Sequence, residues 1–131
     1  MERMTPVELE VMRILWQHGP LKPSEIQAKY PRPIQNAALR FQLRVLLQKK
    51  HLRRRKIGKA YHYQATTSRQ SVFRRMARRM AEVFCRGSAA GLVAELIRSE
   101  KLSPDELKAL QRLAAGRPAG ARSARGQGEG A

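Results

Sequence analysis

"NAALRFQLRVLLQKKHLRRRKIGKAYHYQ", residues 36–64, changes character halfway along. Leu39, Leu43, Leu46 and Leu47 recur at i, i+4, i+7 and i+8 with no Gly or Pro between them, the stripe of an amphipathic helix. From Leu52 the pattern becomes a hairpin: Leu52 to Lys56 and Ala60 to Gln64 read as strands, and Ile57-Gly58 supplies the turn, where Gly accepts φ > 0. That hairpin carries Arg53, Arg54, Arg55, Lys56 and Lys59. A helix feeding so basic a hairpin asks what the charge faces.

Upstream, "TPVE" starts a first helix: Thr5 accepts from the amide three residues on, Pro6 suits the first helical position, and Glu8 reaches back as in a capping box. Leu9, Met12, Ile14, Leu15 and Trp16 give it an apolar face, and Gly19-Pro20 stops it. In "SEIQAKY", Ser24 is the expected N-cap of a two-turn helix ended by Pro31 and Pro33. Helix, short helix, longer helix and basic hairpin is the order of a winged helix-turn-helix domain, placed at residues 1–67, with the hairpin as a wing facing phosphates.

After Ser68 the pattern changes again. "SVFRRMARRMAEVF" sets Val72, Phe73, Met76, Met80, Val83 and Phe84 on one face, with Arg74, Arg75, Arg78 and Arg79 mostly away from it. Leu92, Val93, Leu96 and Ile97 continue beyond Gly87-Ser88, and "SPDE" at 103–106 opens a last helix bearing Leu107, Leu110 and Leu113. Three short amphipathic helices bury little alone, so residues 68–115 read as a helical dimerisation module. The dimer contacts expected are Val72, Phe73, Met76, Met80, Phe84, Leu92, Leu96, Leu107, Leu110 and Leu113. Residues 116–131, Gly/Ala/Arg-rich without an apolar period, read as a disordered basic tail. The fold class expected is mainly α with one small β-hairpin.

A net charge of +17 and a pI near 11.5 exceed what solubility requires and point to a polyanion, nucleic acid before an anionic membrane. Basicity is densest in residues 1–67, with 14 Lys/Arg against 4 acids. No apolar run approaches the ~18–20 residues of a spanning helix, and "MERMTPVELE" lacks a signal-peptide h-region, so the expected location is cytoplasmic without direct membrane binding. Cys85 is the only cysteine, which excludes an intrachain disulfide and a Cys-pair zinc site; a buried apolar role is expected for it. His18, His51 and His62 stand apart as surface or wing residues, and there is no Gly-rich phosphate loop or Gly-x-Ser-x-Gly elbow. Neither an enzyme, a metal site, a cofactor nor a small-molecule ligand is inferred.

If the leucine stripe faces the core, the opposite face of the third helix centres on Phe41, with Ala37, Ala38, Arg44, Val45 and Gln48 around it. Such a helix fits a B-form major groove, where Arg44 would meet guanine or phosphate, Gln48 adenine or phosphate, and Phe41 with Ala38 thymine methyls. The alternative is that Phe41 and Val45 complete the core. Asn36 and Arg40, and from the wing Arg53, Arg55, Lys56 and Lys59, complete the expected DNA contacts, the wing positioning rather than specifying. Tyr61 and Tyr63, alternating together, are expected to pin the wing to the core.

"TPVELEVMRILWQHGPLKPSEI", "LLQKKHLRRR", "KIGKAYHY" and "LVAELIRSEKLSPDELKAL" together resemble the penicillinase repressor (BlaI/MecI) family of bacterial transcriptional regulators, over about residues 3–114. The resemblance implies a homodimer whose winged-helix domains read the two halves of a palindromic operator in double-stranded DNA. It further implies relief when a membrane-embedded sensor metallopeptidase triggers cleavage in the dimerisation module. The chain departs from the family pattern in five places. Ala38 and Phe41 replace threonines, Lys50 replaces a Gly after the third helix, Glu95-Leu96 stands at the family's cleaved Asn-Phe bond, and the Cys-x-Cys pair of the copper-responsive branch is missing. Two rival functions are a non-specific nucleic-acid-binding protein (RNA or nucleoid-associated) and an interaction module that docks "SVFRRMARRMAEVF" on a membrane or acidic partner.

Overall fold

A computed structural model describes residues 4–116. Between Arg69 and Gln70 the chain divides into two compact units. The first contains α1 (Pro6–His18), α2 (Pro23–Lys29), α3 (Asn36–Gln48), β1 (Leu52–Ile57) and β2 (Ala60–Ala65), the order of a winged helix. α1 opens with the capping box expected: the Glu8 N–H donates to Thr5 Oγ1 at 3.2 Å and the Thr5 N–H donates to Glu8 Oε1 at 2.9 Å. α2 starts earlier than Ser24 suggested. Its N-cap is Lys22, whose N–H donates to Glu25 Oε1 at 2.8 Å, because Pro23, with fixed φ and no N–H to leave unpaired, is better suited to the first helical position than Ser24 is to the cap.

The core forms where three apolar stripes meet: Val11, Met12, Ile14 and Leu15 of α1, Ile26 of α2, and Leu39, Leu43 and Leu46 of α3. Full burial of each larger side chain contributes about 1.5–3 kcal/mol. A buried ion pair ties two helix ends together: Lys49 Nζ donates to Glu8 Oε1 at 3.1 Å and to Oε2 at 3.2 Å, with Glu8 only 3% exposed.

α3 closes with a Schellman motif. The Lys50 N–H donates to the Leu47 carbonyl and the His51 N–H to the Leu46 carbonyl, both at 3.0 Å. This places Lys50 at φ +66°, a left-handed conformation that favours glycine. It also corrects the expectation for His51, which is buried at 3% exposure, not a surface residue. His51 holds the position that folds back towards the third-from-last helical residue, and its Nδ1 lies 2.8 Å from Thr67 Oγ1.

The hairpin turn is Gly58-Lys59, one residue later than expected, because β1 runs on to pair Ile57 with Ala60. Of the two loop residues only Gly58 has positive φ (+64°), the pattern of a type II′ hairpin. At its base the wing is joined to the α1–α2 link: the Tyr63 N–H donates to the Leu21 carbonyl at 2.8 Å and the Leu21 N–H to the Tyr63 carbonyl at 3.0 Å. Trp16 Nε1 donates to the Thr67 carbonyl at 2.8 Å, tying α1 to the segment after β2.

α4 (Arg69–Cys85) begins at the boundary, followed in the second unit by α5 (Ala89–Glu100) and α6 (Pro104–Ala114). Ser88 Oγ accepts the Gly91 N–H at 2.8 Å, and Ser103 with Glu106 forms a full capping box. Burial is sparse: Val72 and Ala81 in α4, and no residue of α5 or α6. Cys85 is half-buried, contrary to the expected buried position. Among the described residues no helix is long and apolar enough to cross a membrane. The tail expected at 116–131 lies, beyond Gly116, outside the described residues.

Candidate nucleic-acid interface

Burial of Leu39, Leu43 and Leu46 turns the other side of α3 outward. Asn36, Ala37, Ala38, Arg40, Phe41, Arg44 and Gln48 are all exposed, and Val45 is half-buried. Phe41, 53% exposed, does not complete the core. The Arg44 guanidinium stands 5.9 Å from the Phe41 ring centroid, and Arg40 Nε donates to Asn36 Oδ1 at 2.8 Å.

Strand register sorts the wing into two faces, since side chains alternate. Leu52, Arg54 and Lys56 share a face with Ala65, Tyr63 and Tyr61, their cross-strand partners; Arg53, Arg55 and Ile57 share the other with Gln64, His62 and Ala60. Buried Leu52 and Tyr63 turn the first face towards the core and α3. There Arg40, Arg44 and Leu47 of α3 and Arg54 and Tyr63 of the wing surround one open concavity. Arg53, Arg54 and Arg55 line a second one with Pro20, Ile57, His62 and Gln64, and Arg53 donates to Gln64 Oε1 through Nε at 3.2 Å and Nη2 at 3.1 Å. Lys59 occupies the turn at the tip.

Arg54, outside the contacts expected from sequence, lines the same concavity as the α3 arginines. Its guanidinium lies 4.2 Å from the Tyr61 ring centroid, and Nη1 donates to the Tyr63 hydroxyl at 3.3 Å. That hydrogen bond to Tyr63 raises its pKa further above the ordinary arginine value, against a smaller desolvation effect. The available signal was register: Arg54 stands two residues from Leu52 and opposite Tyr63. The expectation for the tyrosines divides accordingly, because Tyr63 pins the wing while Tyr61, 41% exposed, carries Arg54.

Three guanidiniums around a concavity with no carboxylate in its lining suit an anion with paired acceptor oxygens, such as a phosphate. The exposed side of α3 offers an arginine, a glutamine and an apolar surface where a groove-bound helix reads base edges. Among the described residues no group of His, Cys, Asp or Glu is arranged to hold a metal ion. Helix-turn-helix, wing and a cationic outer face define a winged-helix protein of the nucleic-acid-binding class. The family model described as penicillinase repressor matches residues 4–115. The chain belongs to that family, a family of DNA-binding transcriptional repressors and not of enzymes. No curated protein matches the chain significantly.

Proposed function

We propose that this repressor acts as a homodimer on a palindromic operator in double-stranded DNA, with α3 in the major groove and the wing on the flanking backbone. The observation that carries the proposal is the convergence of Arg40, Arg44 and Arg54 on one open concavity beside the exposed Ala37, Phe41 and Gln48. Arg40 and Arg54 serve phosphate, Arg44 and Gln48 base edges, and Phe41 with Ala38 thymine methyls. Arg53, Arg55, Lys56 and Lys59 add phosphate contacts according to which wing face meets the duplex.

Homodimerisation is supported by the apolar surface of the second unit: Phe73 is 59% exposed, Phe84 72%, Leu96 50% and Leu113 55%, with Met76 and Met80 beside them. A second copy is the simplest cover for such a surface. Leu92, Leu107 and Leu110 are half-buried already, and Val72, 5% exposed, has little surface left to offer a partner. Relief by proteolysis at Glu95-Leu96 through a sensor metallopeptidase rests on family resemblance; both residues are exposed but lie within α5, which must open locally first.

The test is titration onto a duplex of the chain's own upstream region and onto a scrambled duplex at two salt concentrations. Preference for the native site by about 10³ or more is expected of a specific regulator. Equal binding to both, abolished by salt, would reject operator recognition. Met80→Glu should convert a dimer to monomer in sedimentation equilibrium; an unchanged mass would place the dimer contact elsewhere or reject it.

A further inference from the structure

α4 carries a second cationic surface apart from α3 and the wing. Arg74, Arg75, Arg78 and Arg79 are all exposed, and none has a hydrogen-bond or ion-pair partner among the described residues. At 100° per residue they fall within about 140° of arc, facing away from Phe73, Met76, Met80 and Phe84. Two arginines of other helices are paired with acids one turn away, Arg13 with Glu10 at 2.9 Å and Arg98 with Glu95 at 2.7 Å. The sole acid of α4, Glu82, offers the four no such bond.

Such a stripe opposes helix formation. Arg74/Arg78 and Arg75/Arg79 are like-charge i,i+4 pairs and Arg75/Arg78 an i,i+3 pair, each unfavourable. Solubility does not call for it in a chain of net charge +17. The residue type is informative too: the basic residues of α4 are all arginine, whose planar fork matches phosphate oxygens two at a time.

We infer that the Arg74/Arg75/Arg78/Arg79 stripe of α4 is a second, sequence-independent binding surface for the phosphate backbone of duplex DNA. It rests on the duplex reading of the first unit and extends it to a helix otherwise concerned with dimerisation. The two roles are compatible, because a partner copy covering the apolar face leaves the opposite face outward. Three residues, 66–68, link β2 to α4, so α4 is tethered to the duplex-binding unit by at most about 11 Å of extended chain. The expected contribution is affinity and salt dependence without sequence preference.

The experiment compares full-length wild type with a variant carrying Arg74→Ala, Arg75→Ala, Arg78→Ala and Arg79→Ala, binding a random-sequence duplex across a salt series. Alanine is the best helix former and removes the repulsion, so α4 should persist, as checked by circular dichroism. With about 0.9 per phosphate neutralised, loss of two or more contacts per protomer, four or more per bound dimer, lowers the log–log slope by about 3.6 or more. A smaller change overturns the inference. So does an equal change on neutralising Arg98, Lys101, Lys108 and Arg112 instead, which reduces charge by the same amount elsewhere in the second unit. The four-lysine variant at 74, 75, 78 and 79 should keep the slope. Flotation with phosphatidylserine vesicles is run alongside: vesicle binding lost in the alanine variant while its DNA slope stays unchanged would assign the stripe to a membrane surface. Failure of operator recognition shows separately, as absence of any preference for the native site in wild type.

Discussion

Replacing Lys50 by glycine should stabilise the first unit. At φ +66° the lysine Cβ crowds a backbone carbonyl, at a cost of about 1–2 kcal/mol for a non-glycine residue. Glycine removes that strain but gives the unfolded chain more freedom, which offsets about 0.4–1 kcal/mol of the gain. The net is about 0.5–1 kcal/mol, or ~2–8 °C in Tm for a unit of this size. Little else changes: the Lys50 side chain is exposed, and the capping bonds from Lys50 and His51 to Leu47 and Leu46 are backbone to backbone. Trp16 is the only tryptophan and is bonded to the Thr67 carbonyl within the first unit, so its fluorescence reports unfolding of that unit in the full chain. Lys50→Ala is the control, since it shortens the side chain but keeps the strain. If glycine leaves the denaturation midpoint unmoved, or alanine raises it equally, backbone strain at Lys50 is not the cause.

Glu8→Gln should destabilise the same unit by about 1–3 kcal/mol, because it leaves the Lys49 ammonium, 17% exposed, without its carboxylate; adding Lys49→Met should restore most of the loss, and simple additivity would argue against the pair. Arg54→Ala should weaken native and scrambled duplexes alike and lower the salt slope by about 1.8 per bound dimer, as for one phosphate contact from each protomer; an unchanged slope would remove Arg54 from the interface. The cap of α6 should respond to acid. The Ser103 backbone N–H, then the Ser103 side chain, hold Glu106 below its ordinary pKa. Its contribution is therefore present above the unfolded-state pKa and lost as pH falls through the lower folded value. In an NMR titration the Ser103 amide should shift with a midpoint below the usual glutamate range, and a midpoint at or above it would contradict the capping geometry.

Much of the first unit was legible because its signals are local. The Thr5/Glu8 box, the leucine stripe of α3 and the Gly58 turn each depend on residues within one or two turns of chain. The glycine expected after α3 from family resemblance coincides with a left-handed backbone that lysine occupies here. The misplacements came from competition and register. Pro23 outcompeted Ser24 for the start of α2, Ile57 joined β1, and His51 went inward because the end of α3 folds the chain back over Leu46. Arg54 was the omission from the cationic concavity, since in a run of three arginines alternation alone does not say which one faces α3.

The sequence by itself determined the helical periods, the helix starts at Thr5 and Ser103, the basic hairpin and its family, because those follow from spacing, capping chemistry and turn geometry between near neighbours. Only the tertiary structure decided which face of the wing turns to α3, that Glu8 and Lys49 meet 41 residues apart, and that Arg54 joins Arg40 and Arg44 beside Tyr63. Those relations depend on the Leu21–Tyr63 backbone bridge and on burial of Leu52, long-range packing that orients a strand as one rigid piece and carries every alternate side chain with it.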